Sequence, residues 1–134
     1  MGVTYFVFPI DQEFFDWLKS MDIEIPDNWE TSRYPTPNEV FEIIKSFKNM
    51  KIDYNQEMSD LKITMRDPKN LHSLDHLMFR IRDFTGEDQA LKVPHKIEFH
   101  GGAKEIFVDV LEKLSKYCGP LVLVDEDGKP VYVT

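Results

Sequence analysis

Leu61-Lys62-Ile63-Thr64-Met65-Arg66 alternates apolar and polar side chains, and that period of two decides how the chain reads. Such alternation sets one face of a strand against a core and leaves the other in water. The same beat returns in Leu77, Phe79 and Ile81 against Met78, Arg80 and Arg82. It appears again in Ile97 and Phe99 against Lys96, Glu98 and His100. Pro68, Asn70 and Gly86 fall between these runs, as the loops of an antiparallel meander require. Upstream, Lys51 to Tyr54 is compatible with one more strand.

Helical periodicity flanks this middle region. Tyr5-Phe6-Val7-Phe8 reads as a short strand ended by Pro9. Asp11 can then cap a helix running to about Met21, with Phe14, Trp17, Leu18 and Met21 on one buried face. Residues 22 to 35 contain Pro26 and Pro35 and read as a loop. Thr36-Pro37-Asn38-Glu39 is a capping box with proline at the first helical position, opening a helix whose stripe is Val40, Phe41, Ile43, Ile44 and Phe47 and whose stop is Asn49. Gly101-Gly102 precedes a third helix, Ala103 to about Tyr117, which carries the widest apolar stripe. Cys118-Gly119-Pro120 ends it. Leu121 to Val124 is then a buried strand, and Asp127-Gly128 turns it into Val131-Tyr132-Val133.

The expected fold is therefore one α+β domain over residues 1–134: a mainly antiparallel sheet of about five to six strands with three helices, in the order β-α-α-β-β-β-α-β-β. Helices are expected mainly on one face. Residues 96–100, the third helix and residues 121–124 are expected to form a parallel crossover. At 134 residues the chain is long enough to bury a core without staples.

Composition narrows the function classes. A formal net charge of −8 repels phosphate, which disfavours nucleic acid and anionic membranes as partners and favours a basic protein. A single cysteine, Cys118, excludes a disulfide within the chain, and Met1 to Phe6 lacks the basic and apolar regions of a secretory leader. A reducing, cytoplasmic setting is the expectation. No cofactor motif is present, and no metal site is expected. His72 and His76 have metal-ligand spacing around Asp75, but Ser73 stands where a zinc-protease helix carries glutamate, so they read as solvated loop histidines.

Two surfaces remain as candidates. Between Asp11 and Glu30 the chain carries seven acids and one base, Lys19, interleaved with Phe15, Trp17, Ile23, Ile25 and Trp29. Acids around an aromatic anchor suit a docking face, with Asp16, Asp22, Glu24, Asp27 and Glu30 steering a basic protein and Trp29 supplying buried area. Small acidic domains that block a basic toxin, such as bacterial immunity proteins, have this general character, although no residue motif carries the comparison. The alternative is a small enzyme or ligand site at His95, Glu98, His100, Gly101 and Gly102, where a carboxylate two residues from an imidazole on one strand face can fix its tautomer. A third expectation is an accessory subunit whose exposed sheet edge pairs with a copy of itself, as a homodimer, or with another chain.

Overall fold

The structure is a computed structural model that describes residues 3–47, 50–66, 77–101 and 104–134. Its elements run β1 (Val3–Pro9), α1 (Gln12–Ser20), α2 (Pro37–Lys45), β2 (Lys51–Glu57), β3 (Asp60–Arg66), β4 (Leu77–Ile81), β5 (Ile97–Gly101), α3 (Lys104–Cys118), β6 (Leu121–Val124) and β7 (Pro130–Val133). All seven strands join one sheet in the order β2-β3-β4-β5-β1-β6-β7, every neighbouring pair antiparallel. The α+β class stands, with seven strands in place of five to six. The added strand is β2, which extends past Tyr54 because its whole length pairs with β3, from Lys51 opposite Arg66 to Glu57 opposite Asp60.

Both helix-start signals act as chemistry requires. Asp11 Oδ1 accepts from the Phe14 N–H at 2.8 Å. The Thr36 hydroxyl accepts from Glu39 N–H at 3.2 Å while the Glu39 carboxylate accepts from Thr36 N–H at 2.9 Å, the reciprocal capping box. Helix α2 ends at Lys45, with Ser46 as its C-cap, earlier than the expected stop. Asn49, Pro68, Asn70, Gly102 and Ala103 lie outside the described residues.

Alternation along the strands divides the interior in two. Val7, Leu121 and Leu123 face the larger core with α2 and α3; Phe8, Val122 and Val124 face a smaller one under α1 and Ile25. Two helices thus cover one face and α1 the other. That is why all four residues of β6 are buried: both of its faces are roofed. The larger core is centred on Phe79, Phe99 and Phe107, with ring centroids 5.0, 5.8 and 5.1 Å apart. Each such fully buried aromatic contributes about 1.5–3 kcal/mol through burial alone. Strands β5 and β6 both run antiparallel to β1, which lies between them, so they are parallel to each other and α3 is the crossover.

Opposite α2 and α3, the sheet from β3 to β5 carries no helix among the described residues, and its residues there are Lys62, Thr64, Met78, Arg80, Glu98 and His100. This is the wet face that the alternation demands.

Candidate functional site

On the wet face, register sets the chemistry. Lys62, Arg80 and Glu98 stand in one row across β3, β4 and β5, and Thr64, Met78, His100 and Thr4 in the next. Asp60 is the one buried charged residue described, at 6% exposure, so it has to be paired. It accepts from Arg80 Nε at 2.8 Å and from Arg80 Nη2, and Arg82 Nε lies 3.4 Å away. Burial pushes its carboxyl up, but the Arg80 hydrogen bonds and the charges of Arg80 and Arg82 outweigh that and hold it below its ordinary value. Arg82 Nη1 then donates to Glu98 Oε2 at 3.1 Å, which continues the ion-pair row onto β5.

Glu98 and His100 do come together. Glu98 Oε1 lies 3.3 Å from His100 Nε2, an ion-pair distance whose angle falls short of a hydrogen bond, so that nitrogen has no hydrogen-bond partner among the described residues. His100 Nδ1 is 3.0 Å from the Thr4 hydroxyl. A cavity of about 360 Å³ opens beside them, lined by Phe6, Phe8, Tyr34, Arg82, Lys96 and Glu98; His100 is not among its lining residues. His95 points elsewhere: its ring nitrogens face the carbonyl oxygens of Arg82 at 3.0 Å and Ala90 at 2.8 Å, which commits both to the backbone. Gly101 is buried opposite Val3 with φ 147°, a conformation that favours glycine, and Gly102 lies outside the described residues. The His100 imidazole, held by Thr4 and only approached by Glu98, is thus not among the groups that line the cavity.

The acidic region folds around an aromatic stack. Phe15 of α1 stacks on Trp29 with centroids 4.5 Å apart, which pins the loop after α1 back onto the helix. Trp29 is half-buried there, in the short 3-10 turn Trp29–Thr31. Asp16, Asp22, Glu24, Asp27 and Glu30 are all exposed. Asp22 also has a backbone task, since it takes φ 57° just past the helix, a left-handed conformation that Asp tolerates. Lys19, the local base, lies over the Phe15 ring at 5.6 Å. Beside this region a groove of about 430 Å³ runs between Ile23, Glu24 and the β7 residues Pro130 to Val133. Sequence periodicity gives no signal for that groove, because β7 and residue 23 meet only through tertiary packing.

A third cluster lies between the helices. Arg33 grips Glu39 with two hydrogen bonds, at 2.8 and 2.7 Å, and donates to the carbonyls of Tyr34 and Tyr117 at 3.1 and 3.2 Å. Cys118 donates to Glu39 Oε1 at 3.8 Å. The Arg33 hydrogen bonds bring the Glu39 carboxyl down to about 2 against the opposing effect of burial. Burial, then the Glu39 charge, pushes the Cys118 thiol up to about 12. That is the reverse of an activated thiol.

Among the described residues no group of three or more His, Cys, Asp or Glu side chains is placed to hold a metal ion; His72, Asp75 and His76 lie outside them. No helix among the described residues is long and apolar enough to cross a membrane. No protein-family model, curated protein or solved structure matches the chain.

Proposed function

We propose that this chain is a cytoplasmic binding protein that docks a basic protein through its acidic N-terminal region and inhibits that partner by occlusion. The observation that carries this reading is a run of carboxylates with no opposing base: all seven acids between Asp11 and Glu30 are exposed, and none of them is in an ion pair among the described residues. Asp11 caps α1 and Asp16 accepts from Gln12; Glu24, Asp27 and Glu30 have no such structural task. Exposed, unpaired charge of one sign raises the encounter rate of an opposite partner. The groove between Ile23 and Tyr132 offers the apolar contact that charge alone lacks, with Glu24 on its wall to receive a lysine or arginine. Trp29 supports this surface by holding the loop of Asp27 and Glu30 against α1.

A decalysine peptide titrated into the native chain, followed by tryptophan fluorescence at low ionic strength, tests the reading. Glu24→Lys with Asp27→Lys should weaken binding about tenfold or more, while Glu87→Lys with Asp88→Lys, an equal change of net charge elsewhere, should weaken it far less. Equal losses in the two variants would show that net charge alone is responsible and would overturn the assignment of the surface.

A further inference from the structure

The two edges of the sheet are unlike. Strand β7 is four residues long, begins with Pro130 and pairs irregularly with β6, all features that blunt an edge. Strand β2 is seven residues, Lys51-Ile52-Asp53-Tyr54-Asn55-Gln56-Glu57, with no proline, and among the described residues only β3 pairs with it. Its outer backbone groups are a template for another strand. Tyr54 is 50% exposed and meets Phe41 of α2 edge-on at 5.6 Å, so an aromatic pair also lies uncovered beside this edge.

We propose that β2 pairs antiparallel with β2 of a second copy, about a two-fold axis at Tyr54, to make one continuous sheet across a homodimer. Among the registers that pair at least five residues of β2, the charge pattern favours this one. A two-fold axis normal to the sheet keeps each face on its own side, so a residue, not a peptide bond, must sit at the axis. With Tyr54 at the axis, Lys51 stands opposite Glu57 of the second copy, twice by symmetry, Ile52 opposite Gln56, and Asp53 opposite Asn55. Shifting the axis to Asp53 sets Asp53 against Asp53. Shifting it to Asn55 sets Asp53 against Glu57 twice. Like charges directly opposite destabilise a ladder and unlike charges support it. The Tyr54 register also brings Met58, 97% exposed at the hairpin tip, level with Met50 of the second copy, and sets the two Tyr54–Phe41 pairs side by side.

The test combines mass and cross-linking. Light scattering should show a concentration-dependent dimer, and a native chain still monomeric at about 1 mM overturns the proposal. Tyr54→Cys places two thiols about 5 Å apart between Cα atoms, inside disulfide range, so oxidation should give a covalent dimer rapidly. Asp53→Cys leaves its thiols roughly 8 Å apart and should react at least about tenfold more slowly. Cys118 is fully buried and does not compete. Comparable rates for the two variants would refute the register. Lys51→Glu, at an exposed position, should weaken the dimer about tenfold, and Lys51→Glu with Glu57→Lys should restore it. Because Glu57 also binds Lys62 within the chain, Glu57→Lys alone is the control, and a double variant that dimerises no better than Glu57→Lys alone would refute the Lys51–Glu57 pairing and with it the register.

Discussion

Glu39 gives the sharpest link between a few named atoms and a bulk measurement. Its carboxylate holds three chain segments together: it accepts from Thr36 N–H at the start of α2, takes two hydrogen bonds from Arg33 in the preceding loop, and through Arg33 reaches the Tyr117 carbonyl at the end of α3. The carboxyl falls from 4.5 to about 2, chiefly through the Arg33 hydrogen bonds. At about 1.4 kcal/mol per pH unit, that difference corresponds to at most about 3 kcal/mol in favour of the folded chain. Arg33 is 41% exposed, so screening by water reduces the effect to about 1–2 kcal/mol. Because the folded-state value is depressed, this stability is fully present above pH 4.5 and is lost as the pH falls from 4.5 through about 2. Glu39→Gln keeps the shape and removes the charge. Urea unfolding should find the variant about 1–2 kcal/mol less stable than the native chain at neutral pH, with the gap closing toward pH 2. A gap of equal size at both pH values would refute the electrostatic account, and no gap at neutral pH would refute the hub itself.

Two further outcomes follow from the same end of the fold. Cys118 is fully buried and its thiol is pushed up to about 12, so a disulfide-exchange reagent at pH 8 should label the native chain at least about a hundredfold more slowly than the urea-unfolded chain; rapid native labelling would contradict the packing described. Gly119 has φ 75°, and a Cβ added there would lie 2.5 Å from Thr31 Oγ1 and 3.0 Å from the Thr31 carbonyl carbon, so Gly119→Ala should lower stability by about 1–3 kcal/mol, and an unchanged thermal midpoint would show that the α3 terminus does not press on that turn.

Local features of this fold were legible wherever a local cause sets them. The Asp11 cap, the Thr36–Glu39 box and the alternation of Leu61, Ile63 and Met65 each depend on residues a few positions apart, and each takes its expected form. Strand β2 was only half legible because Asn55, Gln56 and Glu57 have poor strand propensity; its pairing with β3 through the tight Met58-Ser59 turn overrides that. The pairing of Glu98 with His100 could be read from a period of two, but not its neighbours Arg82 and Thr4, which arrive from β1 and the β4 end through sheet register. His95 shows the opposite limit. It flanks the same strand, yet both nitrogens turn into the loop that begins at Arg82, an orientation no spacing rule reports. The Arg33–Glu39–Cys118 cluster joins positions up to 85 apart and leaves no periodic trace.

Strand order also bears on how the two proposed surfaces relate. The acidic loop and its groove adjoin β7, and the self-pairing edge is β2; these are the two ends of a seven-stranded sheet, with β3, β4, β5, β1 and β6 between them. Pairing at β2 therefore leaves the groove beside β7 uncovered, and a two-fold axis at Tyr54 sets the two acidic faces at opposite ends of the joined sheet. Each face would then meet its own partner, and any target carrying two basic sites at matching separation would gain from effective concentration without a new contact. The geometry accounts for the treatment of the edges as well. Strand β7, next to the proposed docking groove, is short and carries proline, which discourages pairing there, while β2, at the far end, has seven residues and no proline along the edge proposed to pair. One sheet can in this way serve both interactions without competition between them.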